Sequence, residues 1–84
     1  MIRAYQWMLH AEAVEAFQTL TKRRRARLIR AFERLAAHPF ATPKIVSRDA
    51  EDADVFTVFD DSIAIHYQVD HAARRVYVSR LNED

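Results

Sequence analysis

The sequence predicts an α+β fold of order β-α-α-β-β-β, in which a helical hairpin packs on one face of a small, mostly antiparallel sheet. Three observations predict it. Apolar residues recur at spacings of three and four through residues 10–37, then alternate singly through residues 55–81, and these two periods mark helices and strands. Helices and strands are each grouped along the chain, an order that favours a helix layer on a sheet layer. The 84 residues, half of them hydrophobic and 30% charged, fit a single domain over 1–84.

The opening stretch Met1-Ile2-Arg3-Ala4-Tyr5-Gln6-Trp7-Met8 alternates loosely, carries two aromatics and reads as a strand. From His10 the texture is helical: Ala13, Val14, Phe17 and Leu20 recur at helical spacing, with Glu12 and Glu15 in the first turns, where the helix dipole favours acids. Thr21 interrupts and suits the N-cap of a second helix, Lys22 to Ala37. Leu28, Ile29, Phe32, Leu35 and Ala36 share one face of that helix, and Arg23, Arg27, Arg30 and Arg34 form a stripe about 60° wide almost opposite. Pro39 ends it, because the residue before a proline is pushed out of the α region.

Residues 39–54 hold both prolines and the acids Asp49, Glu51, Asp52 and Asp54, and read as a loop with a short extended piece at Lys44-Ile45-Val46. Strand texture resumes at Val55–Phe59, turns at Asp60-Asp61, and returns over Ser62–Val69. Pairing Phe59 with Ser62 places Phe56, Val58, Ile63 and Ile65 on the face toward the helices, and Thr57, Ala64, His66 and Gln68 on the other. A second turn at Asp70–Arg74 leads to the last strand, Arg75–Leu81. The predicted core is Phe17, Leu20, Leu28, Ile29, Phe32, Leu35, Phe56, Val58, Ile63, Ile65 and Tyr67.

Composition excludes several function classes. With no cysteine there is no disulfide framework and no thiolate metal site. With no glycine, the phosphate-cradling loops whose backbone must approach phosphate closely are absent. No apolar run approaches the roughly 18 residues of a membrane span and no signal-peptide core opens the chain, so a soluble cytoplasmic protein is expected, with no membrane partner. His10, His38, His66 and His71 lie at spacings that match no ligand pair on one helix face, so no metal and no small-molecule cofactor is expected.

The net charge of +1 hides a division. Residues 1–48 hold ten Lys/Arg against three Glu, and residues 49–84 hold three Arg against nine acids. Either the two halves pair with each other, or the basic half faces an acidic partner such as nucleic acid or an acidic protein segment. In residues 22–34 seven cations meet one anion, Glu33. Like charges at i,i+4 cost a helix a few tenths of a kcal/mol each, so the stripe of Arg23, Arg27, Arg30 and Arg34 is a candidate surface for a partner or nucleic acid. His66, in mid-strand on the face away from the helices, is the leading histidine candidate for proton transfer near neutral pH, the alternative being a half-exposed strand histidine without a chemical role.

Specific runs resemble a known family. Ala13–Leu20 with its A-x-x-x-F-x-x-L spacing, the basic Lys22-Arg23-Arg24-Arg25, Leu28–Pro39, Ile65-His66-Tyr67-Gln68-Val69-Asp70 and Arg75-Val76-Tyr77-Val78 together resemble the RelE/ParE superfamily, the toxins of bacterial type II toxin–antitoxin modules. The resemblance implies a toxin neutralised by an antitoxin protein and acting in the bacterial cytoplasm. Its target would be the ribosome and mRNA, which RelE-like members cut, or DNA gyrase, which ParE-like members inhibit without cutting. At the position of the RelE-like strand arginine stands Ala64, at those of the preceding lysines stand Val55 and Thr57, and Asn82-Glu83-Asp84 offers no counterpart to the catalytic tail. The expectation is therefore a toxin acting by binding rather than by RNA cleavage. The alternatives are a divergent endoribonuclease using His66, Tyr67 and Arg80, and a non-toxic interaction or regulatory module on the same fold.

Overall fold

A computed structural model describes residues 5–39 and 45–83. The first four residues of the predicted opening strand, and Lys44 of the predicted extended piece, lie outside the described residues. The elements run β1 (Gln6–Leu9), α1 (Ala11–Gln18), α2 (Lys22–Ala37), β2 (Ile45–Arg48), β3 (Asp54–Asp60), β4 (Ile63–Asp70) and β5 (Arg75–Glu83). The strands form one sheet of order β1-β5-β4-β3-β2, in which β1 runs parallel to β5 and every other pair is antiparallel. Both helices cover one face.

Local chemistry explains the helix boundaries. Thr21 Oγ1 accepts from Arg24 N at 3.3 Å, the N-cap its position predicts. Ahead of Pro39, the His38 N–H donates to Arg34 O at 3.0 Å and closes α2. Between the helices the Arg25 guanidinium donates to Leu20 O at 2.8 Å, holding the hairpin turn.

The core is built where the apolar stripe of each helix meets the period-2 face of the sheet. Leu28 and Phe32 of α2 and Ala13 of α1 are fully buried against Ile65, Tyr67, Val76 and Val78. Trp7 and Phe17 flank Phe32 with ring centroids 5.1 and 6.3 Å away. Phe17, Leu35, Phe56 and Val58 pack against this cluster while half-buried, at its margin. One predicted core residue is misplaced: Ile29 is 36% exposed. The buried arc centres on Leu28 and Phe32 and takes in Ala31 on its other flank, which leaves Ile29 at the rim.

Two strand assignments also differ from expectation. The extended piece is a paired strand, β2, whose Ile45 and Val46 face Thr57 and Phe56 on β3. The hairpin turn is Asp61-Ser62, because Asp60 pairs with Ile63 and Phe59 with Ala64. The displacement is two residues, which preserves the strand's facing, so Phe56, Val58, Ile63 and Ile65 still share the helix side. Without glycine, the turns place Asp52, Asp61 and Arg74 at φ of 63°, 58° and 55°. Aspartate tolerates this left-handed region better than most residues, and arginine less well.

Candidate functional site on the open face of the sheet

Alternation on β3, β4 and β5 sends one set of side chains away from the helices. Thr57 and His66 face each other across β3 and β4, and His66 pairs with Arg80 on β5. A bulge between His66 and Tyr67 adds Ser79 to the β5 side, where the Ser79 hydroxyl donates to His66 O at 3.2 Å. Bulges bend a strand and re-aim its side chains, and this one sets Ser79 and Arg80 side by side in the wall of a cavity of about 400 Å³ with His66, Glu12, Ser47, Arg48, Asp49 and Val55.

His66 is held on both nitrogens. Asn82 Nδ2 lies 3.4 Å from Nε2 and Thr57 Oγ1 lies 2.9 Å from Nδ1. With the Asn82 amide donating, Nε2 is the acceptor and Nδ1 carries the proton toward the hydroxyl of Thr57, a buried polar side chain. Burial, and then the neighbouring Arg80 charge, push the His66 pKa below its ordinary value, so the ring is neutral at pH 7. A neutral imidazole with a lone pair on Nε2 can accept a proton. It does not stabilise an anion.

Both guanidiniums in the cavity wall are already engaged. Arg80 Nε donates to Glu12 Oε2 at 3.1 Å. Arg48 meets Asp52 at 3.1 Å and Asp54 at 3.8 Å. Asp49 adds a carboxylate that accepts from the backbone N–H groups of Ala53 and Glu51 and from the Gln68 amide, at 2.9 to 3.0 Å. Those bonds, the Ala53 N–H first, hold its pKa below the usual carboxylate range.

The structure joins His66 to Arg80 and separates Tyr67 from both. Tyr67 is 1% exposed on the helix side, its ring 5.5 Å from Phe56, and its hydroxyl is pushed up in pKa by burial. Successive residues of a strand point to opposite faces, so Tyr67 belongs to the core and not to the cavity. Thr57, Asn82, Glu12, Arg48 and Asp49 complete the cluster without having been assigned a role from sequence. Only the alternation of Thr57 with His66 was visible there. Among the described residues no group of three or more His, Cys, Asp or Glu could hold a metal ion, and no helix is long and apolar enough to cross a membrane.

The arginine stripe divides. Arg27 and Arg34 reach over the flank of α2 to one carboxylate, Asp60 at the end of β3, at 3.2 and 3.4 Å. Outside the stripe, Arg24 donates to Ser62 Oγ at 3.0 Å and pairs with Glu83 at 3.2 Å. The basic and acidic halves of the chain thus pair in part with each other. Arg23 and Arg30 are exposed and make no ion pair among the described residues.

No protein-family model and no curated protein sequence matches the chain. Solved structures do match in fold. The toxin–antitoxin complex RelBE2 from Mycobacterium tuberculosis superposes with a TM-score of 0.77 at 17% identity, over 98% of this chain and 100% of that one. The RelE–RelB complex from Pyrococcus horikoshii gives 0.77 at 20% identity over 96% of each chain. The isolated RelE toxin of E. coli gives 0.76 at 18% identity, over 95% of this chain and 84% of that one. Two helices on one face of a five-stranded mixed sheet, superposing on these proteins over nearly the whole chain, give the protein the fold of the RelE toxins.

Proposed function

We propose that the protein is the toxin of a type II toxin–antitoxin pair, neutralised by an antitoxin and acting by binding its target rather than by cutting RNA. The fold shared with RelE toxins, three of them solved in toxin–antitoxin complexes, supports the toxin assignment. One observation carries the mechanism: both cations lining the open-face cavity are engaged by carboxylates of the chain itself, Arg80 by Glu12 and Arg48 by Asp52 and Asp54. RNA scission builds up negative charge on phosphorus, and its stabilisation requires preorganised cations. Ala64, 7% exposed, stands at the position where the family resemblance implies an arginine. The binding surface is then the outer side of α2, where Arg23 and Arg30 stand open to an acidic partner. DNA gyrase is the target class the resemblance implies for such a toxin.

A divergent endoribonuclease is the second reading, favoured by the neutral His66 beside Arg80. Inducible expression in a bacterial host tests the first. Growth arrest that survives His66→Ala and is lost on reversing Arg23 and Arg30 to Glu supports action by binding. Arrest that depends on His66 alone overturns it.

A further inference from the structure

The backbone brings Glu12 within reach of Arg80. The His10 N–H donates to Val78 O at 2.9 Å, pinning the junction of β1 and α1 to β5, and the His10 ring packs on Tyr77 with centroids 5.3 Å apart. Two residues after the pin, Glu12 stands in the first turn of α1, where the helix dipole favours a carboxylate. Two residues beyond Val78 on β5 stands Arg80. The two side chains meet at 3.1 Å although 68 positions separate them in sequence.

Without that contact, Arg80, which pairs across the ladder from His66 at the edge of a cavity of about 400 Å³, would offer an incoming anion an open cation. Glu12 fills that place first. We infer that Glu12 is a selectivity residue: its carboxylate occupies the Arg80 guanidinium and weakens the hold of the cavity beside it on anionic ligands.

This inference rests on the reading that the open face does not cut RNA, and it supplies a cause for that behaviour. It also differs in kind from a stabilising ion pair. Both side chains are more than half exposed, 57% for Arg80 and 65% for Glu12, and an exposed pair contributes little to stability. Glu12 is therefore replaceable without unfolding the chain, and its replacement changes what Arg80 can bind.

The test is a titration of the purified protein with inorganic phosphate, followed by NMR through the His66 ring and the Ser79 and Asn82 amides. The wild type, Glu12→Gln, Glu12→Ala, and Glu12→Gln combined with Arg80→Ala are compared, with melting curves confirming that each is folded. Removing one unit charge at ion-pair distance in water changes an affinity about fivefold. Both single variants should bind phosphate about fivefold more tightly than the wild type, and the gain should vanish in the double variant. Equal binding by wild type and single variants overturns the inference, as does a gain that persists without Arg80. Cleavage of mRNA by the wild type would instead defeat the reading of function, and the phosphate titration would still report on Glu12.

Discussion

Trp7 and Phe32 lie with ring centroids 5.1 Å apart, so the first strand and the second helix share one core although 25 positions separate them. Phe32 is 0% exposed and also meets Phe17. Truncation to Ala removes both aromatic contacts and leaves a cavity in a domain too small to absorb it. Phe32→Ala should cost about 3–5 kcal/mol, a large share of the stability of a chain this size. Thermal melting by circular dichroism checks this, and a melting temperature within a few degrees of the parent would contradict the packing.

Arg74 offers a gain instead. It sits at φ 55° in the turn before β5, a region that costs a side chain with a Cβ about 1–2 kcal/mol. Glycine removes that cost while adding about 0.5–1 kcal/mol of unfolded-state entropy to be lost. Arg74→Gly should therefore stabilise by up to about 1.5 kcal/mol, whereas Arg74→Val should destabilise. Denaturant midpoints for the two variants should move in opposite directions.

His66 links stability to pH. Its folded pKa lies below the ordinary 6.5, chiefly through burial. As pH falls below about 6.5, the unfolded chain takes up a proton that the folded chain resists. Stability should therefore decline on acidification, from about pH 6.5 down through the lower folded value, and be regained as pH rises. His66→Gln should flatten that part of the profile while leaving the loss at lower pH that follows from the lowered pKa of Asp49. Denaturation profiles collected between about pH 2 and 8 decide it.

The face of the sheet that His66 occupies was legible because alternation is local: Ile63, Ile65 and Tyr67 point one way and His66 the other, whichever residue starts the hairpin. The turn itself was not. Asp60-Asp61 and Asp61-Ser62 are equally plausible without a glycine to mark the left-handed position, and only the pairing of Asp60 with Ile63 chooses between them. The helix wheel gave Leu28 and Phe32 but not the tilt of the buried arc toward Ala31 that leaves Ile29 outside, since tilt depends on where the sheet lies. The parallel pairing of β1 with β5 and the contact of Glu12 with Arg80 join distant ends of the chain, and no local period encodes them. The stripe showed four arginines as equivalents. A single carboxylate, Asp60, makes two of them structural.

That division refines the binding surface. Reversal of Arg27 or Arg34 would bring like charges against Asp60 and confuse binding with folding. Arg23→Glu with Arg30→Glu avoids this. The double variant should melt close to the parent and bind the proposed antitoxin or target more weakly. The parent's own binding should weaken with salt, since exposed charges are screened over about 8–10 Å at physiological ionic strength. Calorimetry or surface-based binding at two salt concentrations measures both effects, and unchanged affinity would reduce the stripe to a solvated helix face.

The central proposal is a toxin that acts without RNA cleavage. Mapping mRNA 5′ ends after induced expression, beside a His66→Ala variant, tests it most directly. Losing one preorganised charge stabiliser commonly lowers a rate by about 10²–10³, and here Arg48 and Arg80 are both held by carboxylates. The account predicts growth arrest with 5′ ends indistinguishable from those of the uninduced control. New codon-phased 5′ ends that disappear in His66→Ala would contradict it.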